Sequence, residues 1–419
     1  MKKKHPIIIG LIVIVVPILI GQVMTSRRTP QPVASIRKEY PKRPPNPFLE
    51  KVIQEYDKKL TALMEKAQTP GLAVAIVQDS TIVYMKGMGL RAAGKPDSVN
   101  VNTVFRLASV SKCFAAFLSG ILVEDSLLNW NDRIVDYVPR FALESQEETQ
   151  KLTVRNVLSH TTGLPYHTYT NLVEDGSQLD TMLSRLRNVH MASKVGKSYS
   201  YQNVAYSLVS PVIQKRTGKT YEAEMIERVF IPLRMKTASI DYRSIMANTN
   251  VARPHLMRRK KQTQVRINDT YYNVAPAGGV NASISDMAQW MIALLGNRPD
   301  VIHQATIDTL FRPVISAPSK NRNYGRTHRL SKSYYGMGWR ILYYPNDTLM
   351  YHGGYVSGYR SEVAVNPRDR IAVCILSNAP GAAVDNGIPL FFDLFEPSRE
   401  AVLQWEENQR RILNRQAAR

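Results

Sequence analysis

"FRLASVSKCF", Phe105 to Phe114, sets a serine and a lysine three residues apart inside an apolar stretch, Ser109-Val110-Ser111-Lys112. In a helix that begins at Ser109, this separation places both side chains on one face, about one turn apart. A serine hydroxyl is a poor nucleophile until something removes its proton. Lysine can do so only as the neutral amine, which requires burial or neighbouring positive charge. Phe105, Leu107, Ala108, Val110, Cys113 and Phe114 supply an apolar setting. A capping serine beside a solvated lysine would read the same way. Ser-x-x-Lys also recurs at Ser35-Ile36-Arg37-Lys38, so the motif by itself settles nothing.

Two other stretches carry matching chemistry. "SYQNVAYSL" holds Tyr201-Gln202-Asn203 just before an apolar helical stretch. A tyrosine there could share a proton with Lys112, and the asparagine amide could hold a substrate carbonyl. Tyr-x-Asn also occurs at Tyr271-Tyr272-Asn273 and Tyr344-Pro345-Asn346, so it too is weak alone. "MYHGGYVSGYRSEVAV" places His352-Gly353-Gly354 at the end of one expected strand and ahead of another. Paired glycines let a backbone lie close to a ligand, and an N–H just beyond them could help bind an oxyanion. An ordinary hairpin turn would use the same glycines.

Taken with their contexts, the three elements resemble the serine β-lactamase and penicillin-binding protein superfamily, in which Ser-x-x-Lys and Lys-Thr-Gly are motifs. The resemblance is closest to the class C branch, which includes DD-peptidases, D-aminopeptidases and some esterases. "LTVRNVLSHTTGLPY", "IPLRMKTASI", "APAGGVNASISDMAQWMIALL" and "GMGW" are similar to that branch's connecting signatures, in order, and the likeness covers roughly residues 48 to 395. It implies that Ser109 is acylated, that Lys112 and Tyr201 handle its proton, and that Asn203 positions the substrate amide. It also implies an oxyanion hole formed by the backbone N–H groups of Ser109 and Tyr355. Where many members carry Lys-Thr-Gly or Lys-Ser-Gly, this chain has His352-Gly353-Gly354. A histidine is mostly neutral at pH 7 and glycine offers no hydroxyl, so efficient β-lactam hydrolysis is in doubt. His-x-Gly occurs in D-aminopeptidase-like and esterase-like members, which redirects the expected substrate to a cell-wall-type D-amino-acid peptide or a small acyl ester. A β-lactamase proper, or a non-hydrolytic sensor or scaffold using the same pocket, is the alternative.

Strand-like segments lie at both ends of the globular part. "LAVAIVQDSTIVYMKGMG" reads as a hairpin around Asp79-Ser80; "GWRILYYP", "TLMYHGG", "YRSEVAVNP" and "RIAVCILSN" are short, β-branched or aromatic runs. Helical spacing marks 48–66, 109–125, 204–217 and the C-terminal tail. The expected fold class is therefore α+β, β-lactamase/transpeptidase-like: an antiparallel sheet flanked by helices with an inserted, mainly helical domain. Its sheet lobe covers about 48–108 and 270–400, its helical lobe about 109–269, and a helical tail 401–419.

Composition bounds the setting. The 419 residues are 44% hydrophobic and 21% charged, ordinary for a globular chain, but the formal charge is +21. Such a surface favours anionic surroundings. Lys2, Lys3 and Lys4 precede an apolar run from Ile7 to about Val23. That run would reach about 25 Å as a helix, which suits a signal peptide or a short membrane anchor over residues 1–25. A proline-rich basic linker, 26–47, follows. The expected location is the extracytoplasmic face of a bacterial envelope. Two basic clusters, Arg253, Arg258, Arg259, Lys260, Lys261 and Arg266, then Lys320, Arg322, Arg326, Arg329 and Lys332, read as solvated loops or as contacts to anionic lipid or cell-wall polymer. Without a recognisable binding module, no nucleic-acid role is expected. Cys113 and Cys374 read as buried thiols, with a disulfide permitted by export. His160, His167 and His190 lack ligand spacing, so no metal site and no cofactor are expected.

Overall fold

The computed structural model describes residues 44–317 and 330–417. The N-terminal apolar run, Ser35, and Lys320, Arg322, Arg326 and Arg329 lie outside the described residues. Among the described residues, no helix is long and apolar enough to cross a membrane.

Helix α1 (Pro47–Lys66) starts where Asn46 accepts from the amides of Phe48 and Leu49, and Pro47 occupies its first position. Strands β1 (Gly71–Gln78) and β2 (Thr81–Gly89) form the expected hairpin, with Asp79 in the left-handed region at its turn. Short β3 (Val104–Arg106) leads into the "LASVSK" turn. Then follow α2 (Ser111–Glu124), a run of helices, the hairpin β4 (His255–Arg258) and β5 (Lys261–Gln264), and β6 (Asn281–Ser283) paired to β3. The rest is strand-rich: β7 (Ile315–Ser316), β8 (Lys332–Tyr335), β9 (Arg340–Tyr344), β10 (Asp347–Val356), β11 (Tyr359–Asn366) and β12 (Ile371–Ser377). Eight strands make one sheet in the order β2-β1-β12-β11-β10-β9-β8-β7, every neighbouring pair antiparallel.

Both faces of this sheet are covered, which explains why its central strands read as unbroken apolar runs. Leu72, Val74 and Ile76 of β1 join Val373 and Ile375 of β12 under α1 and the helix Ala382–Phe395, against Tyr56, Leu60, Phe391 and Phe395. The alternate residues Ala73, Ala75, Val77, Ala372, Cys374 and Leu376 face the opposite core, with Phe114, Phe117, Trp290 and Trp339. Phe114 stacks on Trp290 at 4.1 Å, and Trp290 on Trp339 at 5.7 Å. Both cysteines are free and buried, so no disulfide joins them.

Three elements differ from their sequence reading. The helix expected from Ser109 starts at Ser111, after a 3₁₀ turn over Ala108–Val110. The 204–217 segment is 3₁₀ over Ala205–Leu208 and α-helical only over Val209–Thr217. Pro211 has no N–H to bond the Ser207 carbonyl, so the α ladder does not run through that turn. The basic stretch around Arg259 is not an irregular loop but the β4–β5 hairpin.

Candidate active site

Ser109 sits on a strained turn. Ala108, immediately before it, adopts φ +48°, a conformation L-residues rarely take. Neighbouring groups hold the turn in place: Leu107 N–H donates to Val280 O at 2.9 Å, the Ser361 hydroxyl donates to Leu107 O at 2.6 Å, and Val280 N–H donates to Ser111 Oγ at 3.0 Å. Ser109 is half-buried while its neighbours from Thr103 to Leu122 are otherwise buried, so the one side chain facing the cleft is the serine.

Lys112 lies on the first turn of α2 with no exposed surface. Its Nζ donates to Asn203 Oδ1 at 2.8 Å and to the Ala277 carbonyl at 3.0 Å. It also sits 4.6 Å from the Tyr201 ring centre and 5.5 Å from that of Tyr206. Burial, reinforced by the Arg340 charge, holds its ammonium well below the usual lysine range. The Tyr201 phenol is hydrogen-bonded to Ser109, yet burial pushes it well above the ordinary tyrosine value. The group thus comprises an amine biased toward its neutral form, a protonated phenol and a hydroxyl, drawn from two distant stretches of chain.

Beneath Tyr201 lies His160, fully buried, its ring 4.4 Å from that of Tyr201 and 4.8 Å from that of Tyr335. Its Nδ1 accepts from the Gln202 amide at 3.2 Å, and burial keeps it neutral. The residue between Tyr201 and Asn203 therefore serves the structure, because its amide fixes the histidine on which Tyr201 rests.

The His352-Gly353-Gly354 segment runs along β10 past the Ser109 turn, paired on its other side to Val363-Glu362-Ser361. The two glycines act differently. A Cβ on Gly354 would lie 2.2 Å from Leu107 O, 2.5 Å from Ser361 Oγ and 3.0 Å from Ser109 N; only glycine lets the strand lie this close to the serine's own amide. At Gly353 a Cβ would stand 2.8 Å from the Tyr351 hydroxyl and 3.3 Å from Arg360 Nη1, so its absence leaves both polar groups open to the cleft. His352 is buried in the wall. Its Nδ1 donates to Gly353 O at 2.9 Å and its Nε2 accepts from Tyr335 Oη at 3.2 Å, and burial together with Arg340 pushes its pKa well below the ordinary histidine value. Tyr355, next along, is 53% exposed at the rim.

These residues enclose a cleft of about 360 Å³, lined by Ser109, Tyr201, Asn203, His352, Gly353 and Tyr355, with Tyr166, Glu174 and Tyr271 at its mouth. Its cationic side was not assigned from sequence. Arg340 lines it amid the rings of Tyr199, Tyr201 and Tyr335, at 5.7 to 6.0 Å. Arg360 lines it too, held by Glu362 at 2.6 Å and Asp385 at 3.1 Å. Arg340 follows the "GMGW" stretch and Ala277 lies in "APAGG", neither of which carries a pattern for the role its residue takes in the fold. Among the described residues, no group of three or more His, Cys, Asp or Glu is placed to hold a metal ion.

Comparison with known proteins fits this geometry. The family described as Beta-lactamase matches residues 56–390. The chain is 24% identical over 354 residues to the Unguisins hydrolase ungD' of Aspergillus campestris, covering 82% of this chain and 65% of that protein. It is 22% identical over 330 residues to Protein flp of Staphylococcus aureus, covering 78% and 63% respectively. The chain thus spans somewhat less than two thirds of the length of these relatives. Its fold is shared with the octameric penicillin-binding protein homologue from Pyrococcus abyssi, at a TM-score of 0.71 and 21% identity over 81% of this chain and 77% of that one. With most of its length matched and the fold shared, this chain belongs to the beta-lactamase family.

Proposed function

We propose that this protein is a serine hydrolase that cuts an amide or ester bond through an acyl-Ser109 intermediate, in a D-amino-acid peptide or a small acyl ester. The observation that carries this reading is the state of Lys112: fully buried, with two carbonyl acceptors and neither of them a carboxylate. As a neutral amine it spends two N–H bonds on Asn203 and Ala277 and keeps a lone pair to receive a proton. Tyr201 relays that proton. As Ser109 Oγ bonds to the substrate carbonyl carbon, its proton passes to the Tyr201 oxygen and the Tyr201 proton passes to Lys112. The resulting oxyanion faces the Ser109 and Tyr355 amides. Collapse breaks the bond to the leaving amine or alcohol, which takes the proton back, and water then attacks the acyl-enzyme by the same relay.

The hydrolase name of the Aspergillus relative supports bond cleavage by this chain as well. A second reading, β-lactam hydrolysis, draws support from Arg340 and Arg360, which offer the cleft a positive charge that His352 does not. Intact-mass analysis after exposure to a chromogenic cephalosporin, p-nitrophenyl esters and D-amino-acid amides separates these. An adduct on the wild type that is absent from Ser109→Ala, with the esters or D-amides turned over faster than the cephalosporin, is the expected result. Fast cephalosporin turnover would reverse the substrate assignment. Stoichiometric labelling without turnover would make the protein a sensor.

A further inference from the structure

We propose that the β4–β5 hairpin docks the protein on an anionic phospholipid bilayer. The register pairs Arg258 with Lys261, leaving Arg259 and Lys260 as a two-residue turn. Their φ angles are +47° and +64°, both left-handed. Turns of this kind favour Asn-Gly, since other L-residues are strained there. Like charges on directly opposed positions also work against pairing, and Arg258 faces Lys261. Four consecutive cations thus occupy a tip where turn conformation and cross-strand electrostatics both disfavour them. Strain of this kind, where the fold has no use for it, points to a ligand.

All four cations are exposed. From Thr249 to Asn268 the sequence has six arginines and lysines and no acidic residue. The tip is a fixed projection because its root is pinned. His255 is fully buried, its amide donates to Asn378 O at 2.7 Å, and its Nε2 accepts from the Ala93 amide at 3.0 Å. Gly358 (φ +91°) packs its backbone on His255, and Asn268 donates to Ser357 Oγ at 2.9 Å. Those contacts lie in the turn that follows the cleft-lining Tyr355, so the hairpin's root is joined to one wall of the cleft.

The occupant is argued from Met257, a residue 51% exposed and adjacent in sequence to the four cations. Phosphate headgroups answer the charge, and the acyl boundary just below them answers the methionine. A soluble phosphate polymer offers only the former. Docking does not depend on the acyl-enzyme chemistry, and its test uses no activity measurement.

The full chain carrying Met257→Cys is labelled at that position with an environment-sensitive fluorophore; Cys113 and Cys374 are buried. It is then titrated with vesicles of phosphatidylglycerol or of phosphatidylcholine. The expected result is a blue shift on phosphatidylglycerol that salt suppresses, and none on phosphatidylcholine. In an R259N/K260G background, affinity read from that shift falls about thirtyfold, from two lost cations. The melting temperature holds or rises, because Asn-Gly suits the turn. Three results would each overturn the proposal: equal shifts on both lipids, no loss of affinity in the double variant, or binding to soluble poly(glycerol phosphate) with no shift on vesicles.

Discussion

Lys112 and Tyr201 are worth more as a pair than the motif suggests, because burial sets opposite protonation preferences on neighbouring groups. It biases the amine toward losing its proton and keeps the phenol protonated, which is what a relay from Ser109 needs. Tyr201→Phe keeps the ring that packs on His160 and removes only the hydroxyl. Turnover of the best substrate is expected to fall by about 10²- to 10⁴-fold with unchanged circular dichroism; a variant of full rate would end the relay. Glu362 is a second such residue. Burial pushes its carboxyl up to about 8 against the pull of Arg360. Its folded pKa lies above its unfolded value, so the wild type holds this proton's stabilisation at low pH and loses it as pH rises toward 8. Glu362→Gln stays neutral throughout. Its stability relative to wild type should climb from about pH 4.5 to 8 and then level, by no more than about 1.4 kcal/mol per pH unit. Urea titrations at several pH values give that curve, and a flat difference would show that Arg360 keeps Glu362 ionised.

The elements divide between those with a local signal and those set by distant partners. β1, β10, β11 and β12 were legible because their apolar runs and Asn, Asp and Gly boundaries are local. Hairpin β4–β5 was hidden by its charge: four cations read as a loop, and the turn lacks Asn or Gly. The 3₁₀ turn at Ser109 was hidden for another reason, since Val280 and Ser361, more than 160 residues away, impose it. Ser109, Lys112, Tyr201 and Asn203 were legible as motif members; Arg340 was not, because an arginine on a strand carries no pattern until the fold brings three tyrosine rings around it. At β10 the glycine pair was read as a single device, whereas Gly354 serves the backbone and Gly353 the side chains beneath. Gly354→Ala is the sharper test. A methyl 2.2 Å from Leu107 O forces the strand off the serine turn, and displacements near 1 Å at a reacting centre cost about 10²-fold. Ester turnover should drop by that order or more. Unchanged turnover would mean that β10 and the Ser109 turn separate without consequence.

At the scale of the molecule, the two ends of the described chain close the same sheet. β1 pairs with β12 across some 300 residues, Leu72 opposite Ser377, so the central strands cannot form until both ends have been made. The helices covering them are tied in the same way. Asn46, the cap of α1, gives its amide to Val402 O and Glu406 of the helix Arg399–Ala417, both at 3.1 Å. Arg399 at the start of that helix reaches the ends of the central strands, 2.6 Å from Asp347 and 2.9 Å from Asp369. Both aspartates are buried and share the Asn366 amide, and the arginine is a cation placed against both interior carboxylates. Arg399→Met keeps most of the side-chain volume and removes the charge. Breaking a buried pair from one side costs about 3–5 kcal/mol, because the abandoned carboxylates remain out of water. Urea denaturation at pH 7 should show a loss of that order. Burial already raises the Asp369 pKa, so the loss should shrink as the pH falls and that carboxylate takes up a proton. Adding Asp369→Asn to Arg399→Met should recover part of it at pH 7, since one uncompensated charge is gone. A loss under about 1 kcal/mol, independent of pH, would mean that the C-terminal helix is held by its apolar contacts alone.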